Sequence, residues 1–343
     1  MQWQRMMTEH DLYLMEICGT HTMAIARHGI RSCLPPQIHL ISGPGCPVCV
    51  TPASAIDSAI ALAARKDVIV CSYGDMLRVP GSDRQTLAQQ KALGRDVRLC
   101  LSVMDALGIA RQHPNKEIIF LAVGFETSAP GTAVAIKEAR ASGLHNFTIY
   151  CLLKRTREVI ETLLQDPDCR IDGFLCPGHV AAIIGTEGFR FLEKYQKSGV
   201  ICGFESTDIL YAIRLLAQAA ADGKVLLENS YARVVRPMGN RRALALIDEV
   251  FSPVDSSWRG FGNIAHSGWQ LREEYQEWDA EKRFGLAPIR DVPMYGCLCG
   301  EIIAGKKQPH QCPLFRRSCT PQSPYGPCMV SQEGTCAAAY QYE

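Results

Sequence analysis

Net charge is nearly absent from this 343-residue sequence: 36 lysines and arginines face 35 aspartates and glutamates, leaving +1 at neutral pH. A field that weak does not recruit nucleic acid or an anionic membrane, which excludes a basic nucleic-acid-binding module. Long apolar runs are missing too, and none approaches the roughly 18 residues that a membrane span needs. The opening stretch MQWQRMMTEHDLYLMEIC lacks a basic start followed by an apolar run and a small-residue cleavage site, so a soluble, cytoplasmic protein is expected. Several catalytic signatures are also absent: there is no G-x-x-x-x-G-K-S/T loop, no G-x-G-x-x-G after a strand, no H-E-x-x-H and no G-x-S-x-G. P-loop NTPase, simple dinucleotide enzyme, metallopeptidase and serine hydrolase therefore lose their marks.

Cysteine is what the chain has in excess, with 16 residues. That is too sparse for a small disulfide scaffold and too rich for an ordinary cytosolic enzyme. In a reducing compartment, thiols beyond core filling are metal ligands or redox groups.

The rest of the composition is globular, at 47% hydrophobic and 21% charged residues. Eight short β-branched runs, at 12–18, 37–42, 67–73, 96–102, 117–124, 146–153, 171–178 and 200–204, read as strands. Amphipathic stretches lie between them, among them Pro52 to Arg65 with Thr51 as its N-cap, Gly131 to Arg140, and Ser206 to Ala221. Strands that are apolar almost throughout, alternating with helices, predict an α/β fold of parallel sheets covered by helices. The Gly-Phe-Glu-Ser/Thr turns at Glu126 and Glu205 echo each other, and point to two related lobes flanking a cleft. The expected division is a first α/β lobe at 12–145, a second at 146–250 with the chain able to cross between them, and a cysteine-rich C-terminal iron–sulfur module at 251–343. Trp258, Trp269 and Trp278 are expected to pack that module onto the body, with a partner surface as the other reading.

Ligands of parallel sheets sit at the carboxyl ends of strands, and the unusual residues lie there. Cys18-Gly-Thr-His21 ends the first strand, Gly43-Pro-Gly-Cys46-Pro-Val-Cys49 follows the second, Gly124-Phe-Glu126-Thr127 the fifth and Cys176-Pro-Gly-His179 the seventh. Cys46 and Cys49 have the spacing of a redox disulfide or a metal pair, ahead of a helix N-terminus that stabilises a thiolate. Cys18 and His21 offer one soft and one borderline ligand, suited to ferrous iron or zinc. His21, His179, Glu126, Thr127, Asp75 and Arg78 are secondary candidates on loops expected to face the cleft. Cys71, Cys100, Cys151 and Cys202 lie in apolar runs and read as core.

The strongest signal is at the C-terminal end. Cys297, Cys299, Cys312, Cys319, Cys328 and Cys336 fall within a loop-rich stretch that has little hydrophobic period, so a metal must supply its order. Zinc prefers two short C-x₂₋₄-C knuckles, whereas wide spacing with two spare thiols leans towards a 4Fe–4S cluster. Which four of the six are ligands stays open on spacing alone.

The blocks EICGTHTMAIARHGIR (16–31), ISGPGCPVCVTP (41–52), YGDMLRVPGS (73–82), VGFETSAP (123–130), CPGHVAAIIG (176–185) and CPLFRRSCTPQSPYGPCMVSQEGTC (312–336) together resemble the HypD family of nickel–iron hydrogenase maturation. The resemblance runs through nearly the whole chain, with a shorter segment ahead of the CGTHT block than the family usually has. It implies a 4Fe–4S cluster on Cys297, Cys312, Cys319 and Cys336, with Cys299 and Cys328 as a cluster-adjacent dithiol like that of ferredoxin:thioredoxin reductase. It further implies that Cys18 holds the iron that becomes Fe(CN)2CO, with the small partner HypC giving a second thiolate, HypE delivering cyanide as a thiocyanate, and Cys46 and Cys49 as a dithiol beside that iron. Two rival readings of the residues are an iron–sulfur thiol:disulfide oxidoreductase with no iron at Cys18, and a zinc-stabilised binding protein with no redox role.

Overall fold

The computed structural model describes residues 10–291 and 294–343; the opening of the stretch behind the location reading, residues 1–9, lies outside them. All eight expected runs form strands: β1 (Leu12–Glu16), β2 (Ile38–Ser42), β3 (Val68–Ser72), β4 (Val97–Leu99), β5 (Glu117–Gly124), β6 (Phe147–Leu153), β7 (Gly173–Pro177) and β8 (Ser198–Cys202). Three further strands were not legible as such, β9 (Leu227–Asn229), β10 (Phe251–Trp258) and β11 (Gly262–Leu271).

Two parallel sheets result, one ordered β2-β1-β7-β8-β9 and the other β4-β3-β5-β6. Their inner strands are buried along almost their whole length, β3, β7 and β8 at every position, because helices cover both faces. Numbered within each sheet, both begin 2-1-3-4, so the two lobes share one winding. The echoing turns do not mark equivalent places in it: Glu126 follows the third strand of its sheet and Glu205 the fourth. In a 2-1-3-4 sheet the chain leaves the first and third strands in opposite directions, which opens a crevice at their carboxyl ends.

Pairing cuts across the 12–145 and 146–250 division. Strands β1 and β2 join β7, β8 and β9, while β6 closes the sheet of β3, β4 and β5, so the chain starts in one lobe, builds the other and returns. Antiparallel β10 and β11 form a hairpin whose Trp269, with Trp278 beyond it, enters the core of the four-stranded sheet. Trp258 is fully buried in a different core, the one that holds the C-terminal cysteines. All three tryptophans are therefore packing residues, and the partner-surface reading is set aside. Helix starts shift slightly from expectation: Pro52 caps the helix Ala53–Ala63, and Thr51 instead closes the short preceding helix Pro47–Val50 by donating its hydroxyl proton to the Pro47 carbonyl at 2.8 Å. No helix among the described residues is long and apolar enough to cross a membrane.

Candidate functional site

The crevice of the five-stranded sheet lies where β1 and β7 diverge. Cys18 leaves β1 as the N-cap of the helix Gly19–Arg27, and His179 leaves β7 on the helix Gly178–Ile184. The Cys18 Sγ stands 3.8 Å from His179 Nδ1. The third strand end brings Cys202 and Phe204: His21 Nε2 donates to the Gly203 carbonyl at 2.9 Å, lies 3.5 Å from Cys202 Sγ, and both histidine rings lean on Phe204. With Nε2 committed to a carbonyl, His21 Nδ1 carries a buried lone pair with no hydrogen-bond partner.

Burial sets the protonation of this group. It pushes the Cys18 thiol up to about 12 and both imidazoles down to about 4, so thiol and histidines are neutral at pH 7. A buried thiol of this kind is inert until a metal displaces its proton. Beneath it, Glu16 is wholly buried; burial raises its carboxyl to about 7 against the opposing hydrogen bonds from Thr22, Ser42 and the Cys18 N–H. The Thr22 hydroxyl donates to Oε1 at 2.6 Å and the Cys18 N–H to Oε2 at 3.2 Å, which ties the CGTHT turn to the strand that carries it.

Cys46 and Cys49 follow β2 and form a disulfide; Cys46 is the N-cap of the short helix Pro47–Val50, which contains Cys49, and its Sγ accepts from the Cys49 N–H at 3.2 Å. The two loops touch through Gly45. A Cβ there would lie 2.2 Å from the Cys18 nitrogen and 2.4 Å from its Cα, so only glycine lets the Cys46 loop reach Cys18. The Gly19 N–H donates to the Gly45 carbonyl at 3.2 Å across the same seam.

All six C-terminal cysteines, Cys297, Cys299, Cys312, Cys319, Cys328 and Cys336, line one apolar chamber with Ile302, Leu314, Phe315, Gly326 and Met329. Cys299 and Cys328 are its close pair, Sγ to Sγ 2.7 Å, and both are buried. The Tyr325 N–H donates to Cys319 Sγ at 3.3 Å, the kind of backbone donor that stabilises a thiolate ligand, and Gly326 is needed because a Cβ would press on Cys297 Sγ at 2.8 Å. Among the described residues no three His, Cys, Asp or Glu side chains converge on a single-ion site; the thiols surround a space instead. Six thiols around one apolar space are a donor set suited to a 4Fe–4S cluster held by four of them.

Three contacts join the chamber to the sheet ends. The helix Pro47–Val50 packs on the turn Pro327–Met329, which carries Cys328. Buried Arg259 donates from its backbone to the Val50 carbonyl and from Nε to the Thr51 carbonyl, both at 2.9 Å, and its charge favours the Cys299 thiolate. The Thr20 hydroxyl donates to Glu333 Oε1 at 2.6 Å, and Glu333 packs against Gly19. Cys18, Gly45, Cys46, Cys49, Cys328 and Cys299 thus form a continuous run of contacts, and Cys46, Cys49 and all the chamber thiols except half-buried Cys297 belong to one buried core, with Cys297 packed against it.

Other expected residues sit apart from this run. Both Glu126 oxygens are taken by Thr156, from its N–H at 2.7 Å and its hydroxyl at 2.6 Å, so Glu126 caps the helix Thr156–Gln165; burial raises its carboxyl. Thr127 is exposed on the same turn. Arg78 reaches the C-terminal region, donating to the Val330 carbonyl at 2.7 Å, and Asp75 begins that 3₁₀ turn. Cys71, Cys100 and Cys202 are core, as expected, with half-buried Cys151 packed against it, and Cys202 also lies against His21. Glu16, Phe204, Arg259 and Glu333 were not singled out by sequence, and Cys202 was read only as core; the Gly-Phe-Glu echo alone hinted at Phe204.

The HypD family model, described as the hydrogenase formation hypA family, matches residues 2–343. The chain is 45% identical to the hydrogenase maturation factor HypD of Rhizobium leguminosarum bv. viciae, over 96% of this chain and 88% of that one. It is 43% identical to HypD of Escherichia coli K12, over 97% and 90%, and 44% identical to the hydrogenase expression/formation protein HupD of Azotobacter chroococcum, over 96% and 89%. With the motifs in order and the match running almost end to end, the chain belongs to the HypD family of hydrogenase maturation factors.

Proposed function

We propose that this chain is a scaffold and redox protein that assembles the Fe(CN)2CO unit of nickel–iron hydrogenase. In this reading Cys18 holds the substrate iron together with a thiolate of HypC, and HypE brings cyanide as a cysteine thiocyanate. The observation that supports it is the unbroken contact path from Cys18 through Gly45 and the Cys46–Cys49 helix to Cys328 and Cys299.

The chemistry requires such a path. Cleaving a thiocyanate to cyanide and a thiolate consumes two electrons. Cys46 and Cys49, as thiols, supply both on closing to the disulfide and release two protons. Cys299 and Cys328 then restore them by exchange: one thiolate attacks the disulfide, the other resolves the mixed disulfide, and the oxidised pair moves to Cys299–Cys328. Cys297, Cys312, Cys319 and Cys336 would hold a 4Fe–4S cluster, which when bound supplies single electrons beside that pair. Cys18 suits the iron because low-spin ferrous iron with strong-field ligands prefers a soft donor, and its proton leaves as the metal enters. His21 and His179 remain neutral there, with nitrogen lone pairs available to iron.

The test is anaerobic co-purification with HypC followed by infrared spectroscopy. Cyanide and carbonyl stretches on iron are expected in the parent complex and absent in Cys18→Ala. Cys46→Ala should accumulate little of the dicyano species; accumulation at the parent rate would refute the dithiol relay.

A further inference from the structure

Although the whole chain is nearly neutral, residues 302–332 contain no aspartate or glutamate. At the chain's average of 35 acids in 343 residues, about three would be expected in a stretch of that length. The same stretch holds Lys306, Lys307, Arg316 and Arg317, and it contains Cys312, Cys319 and Cys328. The imbalance is therefore concentrated over the thiol chamber.

Three arginines beside it are held in place without a carboxylate. Arg316 donates to the carbonyls of Ala339 and Tyr340 at 3.2 and 3.3 Å and lies over the Phe315 ring. Arg84 stacks on Tyr325, 4.0 Å from the ring centroid, and Tyr325 is the residue whose N–H meets Cys319 Sγ. Arg78 is fixed by the Val330 carbonyl. Arg78 and Arg84 line a cavity of about 460 Å³ with Pro321, Gln322, Ser323 and Pro324. Among the described residues no carboxylate is within ion-pair distance of Arg78, Arg84, Arg316, Arg317 or Lys307; Lys306 alone of this group is paired, with Asp166 at 2.6 Å. Arginines that need no carboxylate to position them keep their field for something outside the molecule.

That field surrounds one wall of the chamber. Gln311, Pro313, Arg316, Arg317 and Ser318 are exposed, so Cys312 and Cys319 lie one residue beneath solvent. We propose that this face is the docking surface for a small acidic one-electron carrier protein. The proposal rests on the cluster reading above and deepens it: each cyanide released costs the chain two electrons, and two successive carriers must deliver them. A charged face with a small apolar centre, here Leu314 and Phe315, suits the short-lived, small-area contacts of electron-transfer partners.

The test uses the anaerobically purified full chain and a reduced acidic 2Fe–2S ferredoxin as the probe, with binding measured by calorimetry and iron and acid-labile sulfide measured on the same samples. Affinity is expected to fall about tenfold or more between 50 and 300 mM salt, because exposed charges are screened over about 10 Å. Arg316→Glu with Arg317→Glu should weaken binding about tenfold at low salt while iron and sulfide are retained, and Arg84→Glu should weaken it too. Arg214→Glu, on an exposed face of the helix Ser206–Ala221, should not. Salt-insensitive binding, no binding by the parent, or equal loss in Arg214→Glu would overturn the docking surface. Absence of sulfide from the parent would instead overturn the cluster reading, so the two failures are distinguishable.

Discussion

Replacing Gly45 by alanine adds one methyl group at the seam between the two functional loops, where the backbone has no room for it. The new Cβ would lie 2.2 Å from the Cys18 nitrogen and 2.4 Å from both the Cys18 Cα and the Ile17 carbonyl carbon. All three are backbone atoms, so no side chain can swing away. Ordinary contact begins near 3.4 Å, so the loops must separate by about 1 Å. Overpacking of this kind costs about 1–3 kcal/mol, offset by up to about 1 kcal/mol from the stiffer unfolded chain, and the clash wins. The melting temperature should fall by a few degrees. Function should suffer more, since a shift of about 1 Å between reacting groups costs on the order of 10²-fold in rate. The assay is the rate of cyanide appearance on iron in the complex with HypC, followed by infrared, beside a thermal melt. Full activity in Gly45→Ala, or a loss no larger than the unfolded fraction explains, would refute the idea that contact between the Cys18 and Cys46 loops matters to the transfer.

Three further perturbations have definite expected outcomes. Cys299→Ser should keep iron and sulfide but stop after about one cyanide per chain, because the Cys46–Cys49 disulfide is no longer reopened; continued turnover would place regeneration elsewhere. Glu126→Ala should destabilise the protein by about 1–3 kcal/mol in denaturant titration, since the Thr156 N–H loses a buried acceptor, while the thiol potentials stay unchanged. In acid, His21 and His179 are held near 4 by burial, so the unfolded chain takes up their protons first and stability falls as pH drops from about 6.5 towards 4. Glu16, raised to about 7 by burial, acts in the opposite sense, binding its proton more tightly when folded. Glu16→Gln should therefore make the loss of stability between pH 6.5 and 4.5 steeper; an unchanged slope measured by urea titration would remove Glu16 from the balance.

What the sequence made legible was local. Apolar β-branched runs such as DVIVCSY and EIIFLAVG are buried on both faces, and their pattern carries that information without any partner. Strand β10 escaped because Pro253 interrupts FSPVDSSW, and its place in a two-stranded hairpin, with a free edge, tolerates a residue that has no N–H. The crossing of the chain between lobes had no local signal, since pairing of β1 with β7 joins residues about 160 positions apart. The site divided in the same way. Cys18, Cys46, Cys49 and His179 were visible as rare residues at strand ends. Arg259 and Glu333, ordinary in their sequence surroundings, gain their roles only from long-range contacts to Thr51 and Thr20. Glu126, conspicuous in sequence, has both oxygens engaged in a helix cap.

The measurement closest to the centre of this account is iron and acid-labile sulfide on anaerobically purified protein, for the parent and for Cys312→Ala. The account requires about four irons and about four sulfides per parent chain, with the sulfide lost in the variant. A parent chain carrying zinc and no sulfide would contradict it.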